Sequence, residues 1–111
     1  MIIDWNDFAK IDIRAGTIID AREFPKARKP AYQLTIDFGE NIGLRQSSAQ
    51  LTKFYNISQL INRQIIAVLN FPPRQIADFS SECLVLGIYD ENSDVILLEP
   101  ERNVKNGCKI G

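Results

Sequence analysis

Residues 11–21, Ile11-Asp12-Ile13-Arg14-Ala15-Gly16-Thr17-Ile18-Ile19-Asp20-Ala21, decide how the chain is read. The stretch is rich in β-branched side chains and alternates in part between apolar and polar positions, which predicts a strand. Gly16 inside it predicts a bulge or sharp bend of the kind that closes a small barrel. Residues 11–21 therefore read as one long, curved first strand.

Outward from this strand the pattern is regular. Ahead of it, Asp4 and Asn6 are N-cap residues for a short helix that carries Trp5, Phe8 and Ala9 at helical spacing. Behind it, residues 24–30 hold two prolines and three cations and predict an exposed loop. Residues 32–38 alternate, Gly39-Glu40-Asn41 makes a turn, and residues 42–48 form the return strand of a hairpin. Over residues 49–61 the apolar side chains of Leu51, Phe54, Tyr55, Ile57, Leu60 and Ile61 switch to a helical stripe, which Asn56 and Ser58 can break into turns. Residues 63–71 form a strand apolar enough to be buried on both faces. A last pair, residues 83–89 and 95–98, is joined by a turn at residues 90–94. Three strands, a helix between the third and the fourth, and further strands after it predict an all-β chain with short helices, arranged as the five-stranded Greek-key barrel of an OB-fold.

The chain has 111 residues, the size of one domain, and residues 1–111 are read as one. Hydrophobic residues make up 45% and charged residues 24%, the usage of an ordinary globular protein. No apolar run approaches the ~20 residues of a membrane span, and Met1-Ile2-Ile3-Asp4-Trp5 turns polar too soon for a signal peptide, so a cytoplasmic protein is expected. Cys83 and Cys108 have neither the spacing of a metal knuckle nor that of a redox pair, and read as reduced thiols. The absence of histidine removes imidazole chemistry, and no glycine-rich phosphate loop follows a strand. Asp12, Asp20 and Asp37 read as partners of Arg14 or as turn caps. No catalytic residue, metal or cofactor is expected.

Charge is unevenly spread along the chain. Residues 41–77 contain no acid but carry Arg45, Lys53, Arg63 and Arg74, and residues 24–36 are acid-free with Lys26, Arg28 and Lys29. From Asp78 onward acids predominate. A fold that gathers the two basic windows produces one basic face on a chain whose net charge is −1.

Four segments taken together resemble the tRNA-binding-domain family: Asp12-Ile13-Arg14-Ala15-Gly16-Thr17-Ile18, Ile36-Asp37-Phe38-Gly39, Arg45-Gln46-Ser47-Ser48-Ala49 and Asn70-Phe71-Pro72-Pro73. The resemblance runs nearly end to end, through Leu97-Leu98-Glu99-Pro100 and Asn106-Gly107-Cys108-Lys109-Ile110, and is greatest to the family's small, export-related bacterial chaperones. It implies a non-catalytic OB-fold homodimer. Relatives bind tRNA, whereas the chaperones bind unfolded or preprotein segments. The chain departs from the family at Ala27-Arg28-Lys29-Pro30-Ala31-Tyr32 and at Ser81-Glu82-Cys83-Leu84, where a methionine is missing.

For RNA, Arg28, Lys29, Arg45, Lys53 and Arg74 are the expected phosphate partners, with Gln46, Ser47, Ser48, Asn70 and Ser81 as hydrogen-bonding groups. For a peptide, the stretch Val68-Leu69-Asn70-Phe71-Pro72-Pro73-Arg74-Gln75-Ile76 carries the reading. Two prolines stop the sheet ladder and hold Phe71 near the strand end, so that Phe71, Pro72, Pro73, Ile76 and Phe79 wall an apolar groove with Arg74 and Arg45 at its rim. Trp5 and Phe8 on the first helix, with Val95 and Leu97 on the last strand, are the expected dimer contact formed by the two extensions of the barrel.

Overall fold

The computed structural model describes residues 1–111. Helix α1 (Trp5–Ala9) is followed by β1 (Ile13–Glu23), β2 (Tyr32–Asp37), β3 (Leu44–Ala49), α2 (Ile57–Leu60), β4 (Gln64–Val68), β5 (Arg74–Ile76), β6 (Phe79–Ser81), β7 (Leu84–Val85), β8 (Gly87–Tyr89) and β9 (Val95–Leu97). Five strands form an antiparallel sheet in the order β3-β2-β1-β4-β7. The sheet curls until β7 approaches β3, giving the nearly closed barrel of an OB-fold, as the element order predicts.

β1 is long because it serves two partners. Its first half pairs with β4, from Ile13 opposite Val68 to Thr17 opposite Gln64. Its second half pairs with β2, from Thr17 opposite Asp37 to Glu23 opposite Tyr32. The bulge lies between Ile18 and Asp20, not at Gly16. Gly16 answers a different need, since a Cβ there would sit 2.6 Å from the Phe38 ring and 2.9 Å from Ile36. Inside the barrel Ile18, Leu34, Ile36, Phe38, Leu60 and Ile65 are all but inaccessible to solvent.

α1 begins with a capping box, in which the Asp4 carboxylate accepts from the Asp7 N–H and the Asp7 carboxylate from the Asp4 N–H. The helical stripe over residues 49–61 resolves into a turn and the short α2. Asn56 starts α2 rather than continuing a helix, because its side chain accepts from the Gln59 N–H in a second capping box. The expected strand over residues 83–89 is split at Leu86, whose N–H donates to Ile66 O and whose carbonyl accepts from Leu98 N–H. Segment 103–110, for which the sequence predicts no element, runs back along β1. Ala15 N–H donates to Cys108 O and Ile110 N–H to Ile13 O, while Arg14 bonds both Asp12 and Gly107 O.

Period-two alternation corrects the expectation for the last strand. Leu97 is only 7% exposed and lies in the main core, and Val95 packs against that core. On β8 and β9 the residues turned outward are Ile88, Tyr89 and Ile96. A contact built on Leu97 would require it to leave the barrel.

Candidate functional site

The loop between β1 and β2, strand β3 and the β5–β6 hairpin meet at one end of the barrel. A satellite cluster of Phe24, Ala31 and Phe79, with Ala27 and Ile76 beside it, ties the hairpin to the loop. The Phe24 and Phe79 rings meet edge to face at 5.4 Å. Lys26 Nζ reaches Asp78 Oδ2 at 2.9 Å across the same junction, and this hydrogen bond and charge hold the Asp78 carboxyl below its ordinary range.

Phe79, 9% exposed, and Ile76 therefore serve as anchors of the hairpin and do not wall an open groove. The apolar surface that remains is Phe71, 54% exposed, together with the exposed Pro72 and Pro73. Just upstream, Asn70 is a clamp: its Oδ1 accepts from Asp12 N–H and its Nδ2 donates to Lys10 O. The strand that leads to Phe71 is thus fixed to the segment joining α1 and β1.

Between β3 and the β6–β7 segment the barrel is closed largely by side chains. The backbone supplies one bond here, Glu82 N–H to Gln46 O. Ser48 N–H donates to Ser81 Oγ, Gln46 N–H to Glu82 Oε1, and Gln46 Nε2 to Ser80 O. Ser47, 1% exposed, donates its hydroxyl to Cys83 O at 2.9 Å. Of the five polar residues expected to meet RNA, Gln46, Ser47, Asn70 and Ser81 engage their side chains within the chain, while Ser48 commits only its backbone. All five read from the sequence as polar positions at the barrel mouth; only the fold shows that Gln46, Ser47, Ser48 and Ser81 form the seam and that Asn70 holds the α1–β1 segment. Cys83 lies behind it, and burial raises its thiol pKa to about 11, so it stays protonated at neutral pH and offers no nucleophile.

The cations sort cleanly. Lys10, Arg14, Arg22, Lys26, Arg63 and Arg102 each have a carboxylate partner, and Arg63 also lies over the Tyr55 ring at 5.1 Å. Seven form no ion pair: Arg28, Lys29, Arg45, Lys53 and Arg74, all from the two acid-free windows, and Lys105 and Lys109 on the last segment. Arg28 and Lys29 follow Ala27 on the loop. Arg45 lies on β3, close enough to Cys83 to act on its thiol. Lys53 lies just past the end of β3, whose Ala49 is opposite Tyr32. Arg74 is opposite Ser81 on the hairpin, and so one strand away from Ser48. Arg28, Lys29, Arg45 and Arg74 thus lie on the three segments that meet at this end of the barrel, and Arg74 directly follows Phe71-Pro72-Pro73.

Two clefts of about 310 and 370 Å³ lie elsewhere, between α2, the start of β4 and segment 99–106. They share Asn62, Gln64 and Asn103 and carry almost no apolar lining. Gln64 is already committed there, donating to Val104 O and accepting from Val104 N–H.

Comparison with known proteins agrees with the fold. Residues 13–109 match the family described as "Putative tRNA binding domain". Chaperone CsaA from Bacillus anthracis str. Ames is 50% identical and superposes with a TM-score of 0.94, with both chains covered in full. Chaperone CsaA from Picrophilus torridus is 52% identical with a TM-score of 0.93, over 99% of this chain and 100% of that one. Methionine–tRNA ligase from Pyrococcus abyssi is 34% identical over 110 residues, which is 99% of this chain but 15% of the ligase. The chain thus spans about one seventh of the curated ligases that it matches.

Proposed function

This chain belongs to the tRNA-binding-domain family, and we propose that it uses the family's fold as a non-enzymatic, CsaA-like chaperone, a one-domain protein of the cytoplasm that binds unfolded or preprotein segments. The observation that carries this reading is the exposed Phe71-Pro72-Pro73 surface, which leads directly into Arg74, a cation with no ion pair within the chain. An apolar side chain of a client covers Phe71, and acidic or polar flanks meet Arg74 and the loop cations. Phe71→Ala removes the apolar anchor without touching the core, so the thermal midpoint stays close to wild type while affinity for an unfolded peptide falls by about tenfold or more.

A second reading, tRNA binding by the same face, is favoured by the unpaired cations themselves. Phosphate neutralisation releases counterions, so tRNA affinity depends steeply on salt, whereas a contact dominated by apolar burial does not. Fluorescence anisotropy of labelled bulk tRNA and of a labelled unfolded peptide, each titrated at low and physiological salt, separates the two. Peptide binding with a shallow salt slope and little tRNA binding supports the chaperone. Tight, salt-sensitive tRNA binding with no peptide binding makes tRNA the ligand.

Two copies of the chain join through α1 and the β8–β9 hairpin in this proposal. Trp5 is 72% exposed, its ring 5.5 Å from that of Phe8, and Ile88, Tyr89 and Ile96 add apolar surface. Replacing Ile96 with Glu puts a charge on this surface and leaves the inward-facing Val95 and Leu97 alone. Wild type should sediment as a dimer and Ile96→Glu as a folded monomer; a monomeric wild type rejects the assignment.

A further inference from the structure

The β5–β6 hairpin is a two-stranded sheet of its own. β6 faces β3 across the side-chain seam, so β5 is the outer strand. Ile76 pairs with Phe79 across a two-residue turn, in which Ala77 adopts φ 52°. A two-residue turn closes on a hydrogen-bonded pair, so in this register Ile76–Phe79 and Arg74–Ser81 are the pairs that exchange ladder hydrogen bonds. Gln75 and Ser80 form the intervening wide pair, whose N–H and C=O groups point away from each other. On the inner side, the Ser80 carbonyl accepts from Gln46 Nε2 at 2.9 Å. On the outer side, the Gln75 N–H and C=O face solvent, and the Gln75 side chain turns back to donate to Ala77 O at 3.0 Å. Pro72 and Pro73 have no N–H, so this edge offers a single donor, at Gln75.

The geometry points to a client segment that adds alongside β5 as a transient strand, with its backbone bonded to the Gln75 N–H and C=O. Its alternate side chains are apolar where they meet Phe71 and acidic where they meet Arg74 and the loop cations Arg28 and Lys29. This inference rests on the peptide reading above and adds to it the conformation and chemical class of the client: extended, with acids alternating among apolar residues. Recognition through the main chain reads no side chain at that point, which suits a protein that must accept many sequences. The prolines keep the edge too short for copies of this chain to stack on one another.

The test uses a fluorescein-labelled peptide that alternates valine and glutamate. Gln75→Pro deletes an N–H that makes no ladder bond, a substitution that an edge strand accepts, so the variant should melt with wild type. Its affinity for the peptide should fall by about tenfold. Independently of any variant, N-methylation of the peptide on one set of alternate residues should abolish binding to the wild type, and methylation of the other set should leave it intact. Equal binding of both methylated peptides overturns strand addition while leaving the Phe71 surface as a peptide site. A wild-type protein that fails to bind the unmethylated peptide overturns both.

Discussion

Gly16→Ala costs about 3 kcal/mol of folding stability, the upper range for forcing an extra methyl into a filled core. The added Cβ would sit 2.6 and 2.7 Å from two carbons of the Phe38 ring and 2.9 Å from Ile36. Neither neighbour can swing aside, because Phe38 and Ile36 are fully enclosed and protein interiors leave little free volume. Retreat of Phe38 is blocked from behind as well, since Gly107 backs onto the Phe38 carbonyl so closely that a Cβ there would lie 2.5 Å from the oxygen. Gly43→Ala is the control. Gly43 has φ +81° and open space around it, so an alanine there bears only the backbone strain of the left-handed region, about 1 kcal/mol. Urea midpoints of the two variants against wild type test the order, and equal losses at both sites would mean that Phe38 relocates.

The second large effect is on binding. Replacing Arg28, Lys29 and Arg74 together with glutamate should lower tRNA affinity by about a hundredfold or more at low salt and flatten its dependence on salt. The five unpaired cations of the acid-free windows give a slope of log affinity against log salt of about −4 if each meets a phosphate, and removing three of them leaves about −1 to −2. None of the three makes an ion pair, so folding should be unaffected and the thermal midpoint should hold. A triple variant that binds tRNA as wild type does would show that RNA lies elsewhere on the molecule. A variant of Lys26 would be a poor substitute, because that side chain holds Asp78 and ties the loop to the hairpin.

How much of this was legible in the sequence depended on whether a residue's partner was near in the chain. The barrel strands announced themselves through alternation and β-branching, and the α1 cap through Asp4, because those signals act over a few residues. The unpaired cations were legible only in part, since Lys26 and Arg63 of the same acid-free windows find the distant carboxylates of Asp78 and Glu99. The β5–β6 hairpin was not. Its turn places Ala77 at positive φ, where glycine or asparagine would have marked it, and Phe79 read as a groove wall because its partner Phe24 lies far back in the sequence. Leu97 was misjudged for a simpler reason: a strand of three residues gives too short an alternation to say which face is inward. Gln46, Ser47 and Ser81 read as ligand groups, because a polar side chain at a barrel mouth reads the same whether it waits for a partner or already has one.

The side-chain closure between β3 and β6 has a consequence for how such a protein changes over generations. A continuous backbone ladder would tie the geometry of the hairpin to the register of the whole barrel, so that altering one would disturb the other. Here most of the bonds across that join are made by Gln46, Ser81 and Glu82, each of which one codon can replace. The hairpin that carries Arg74 can therefore be loosened, tightened or re-aimed by single substitutions while Ile18, Leu34 and Phe38 stay as they are. One inherited scaffold can in this way drift between ligands without first becoming unstable.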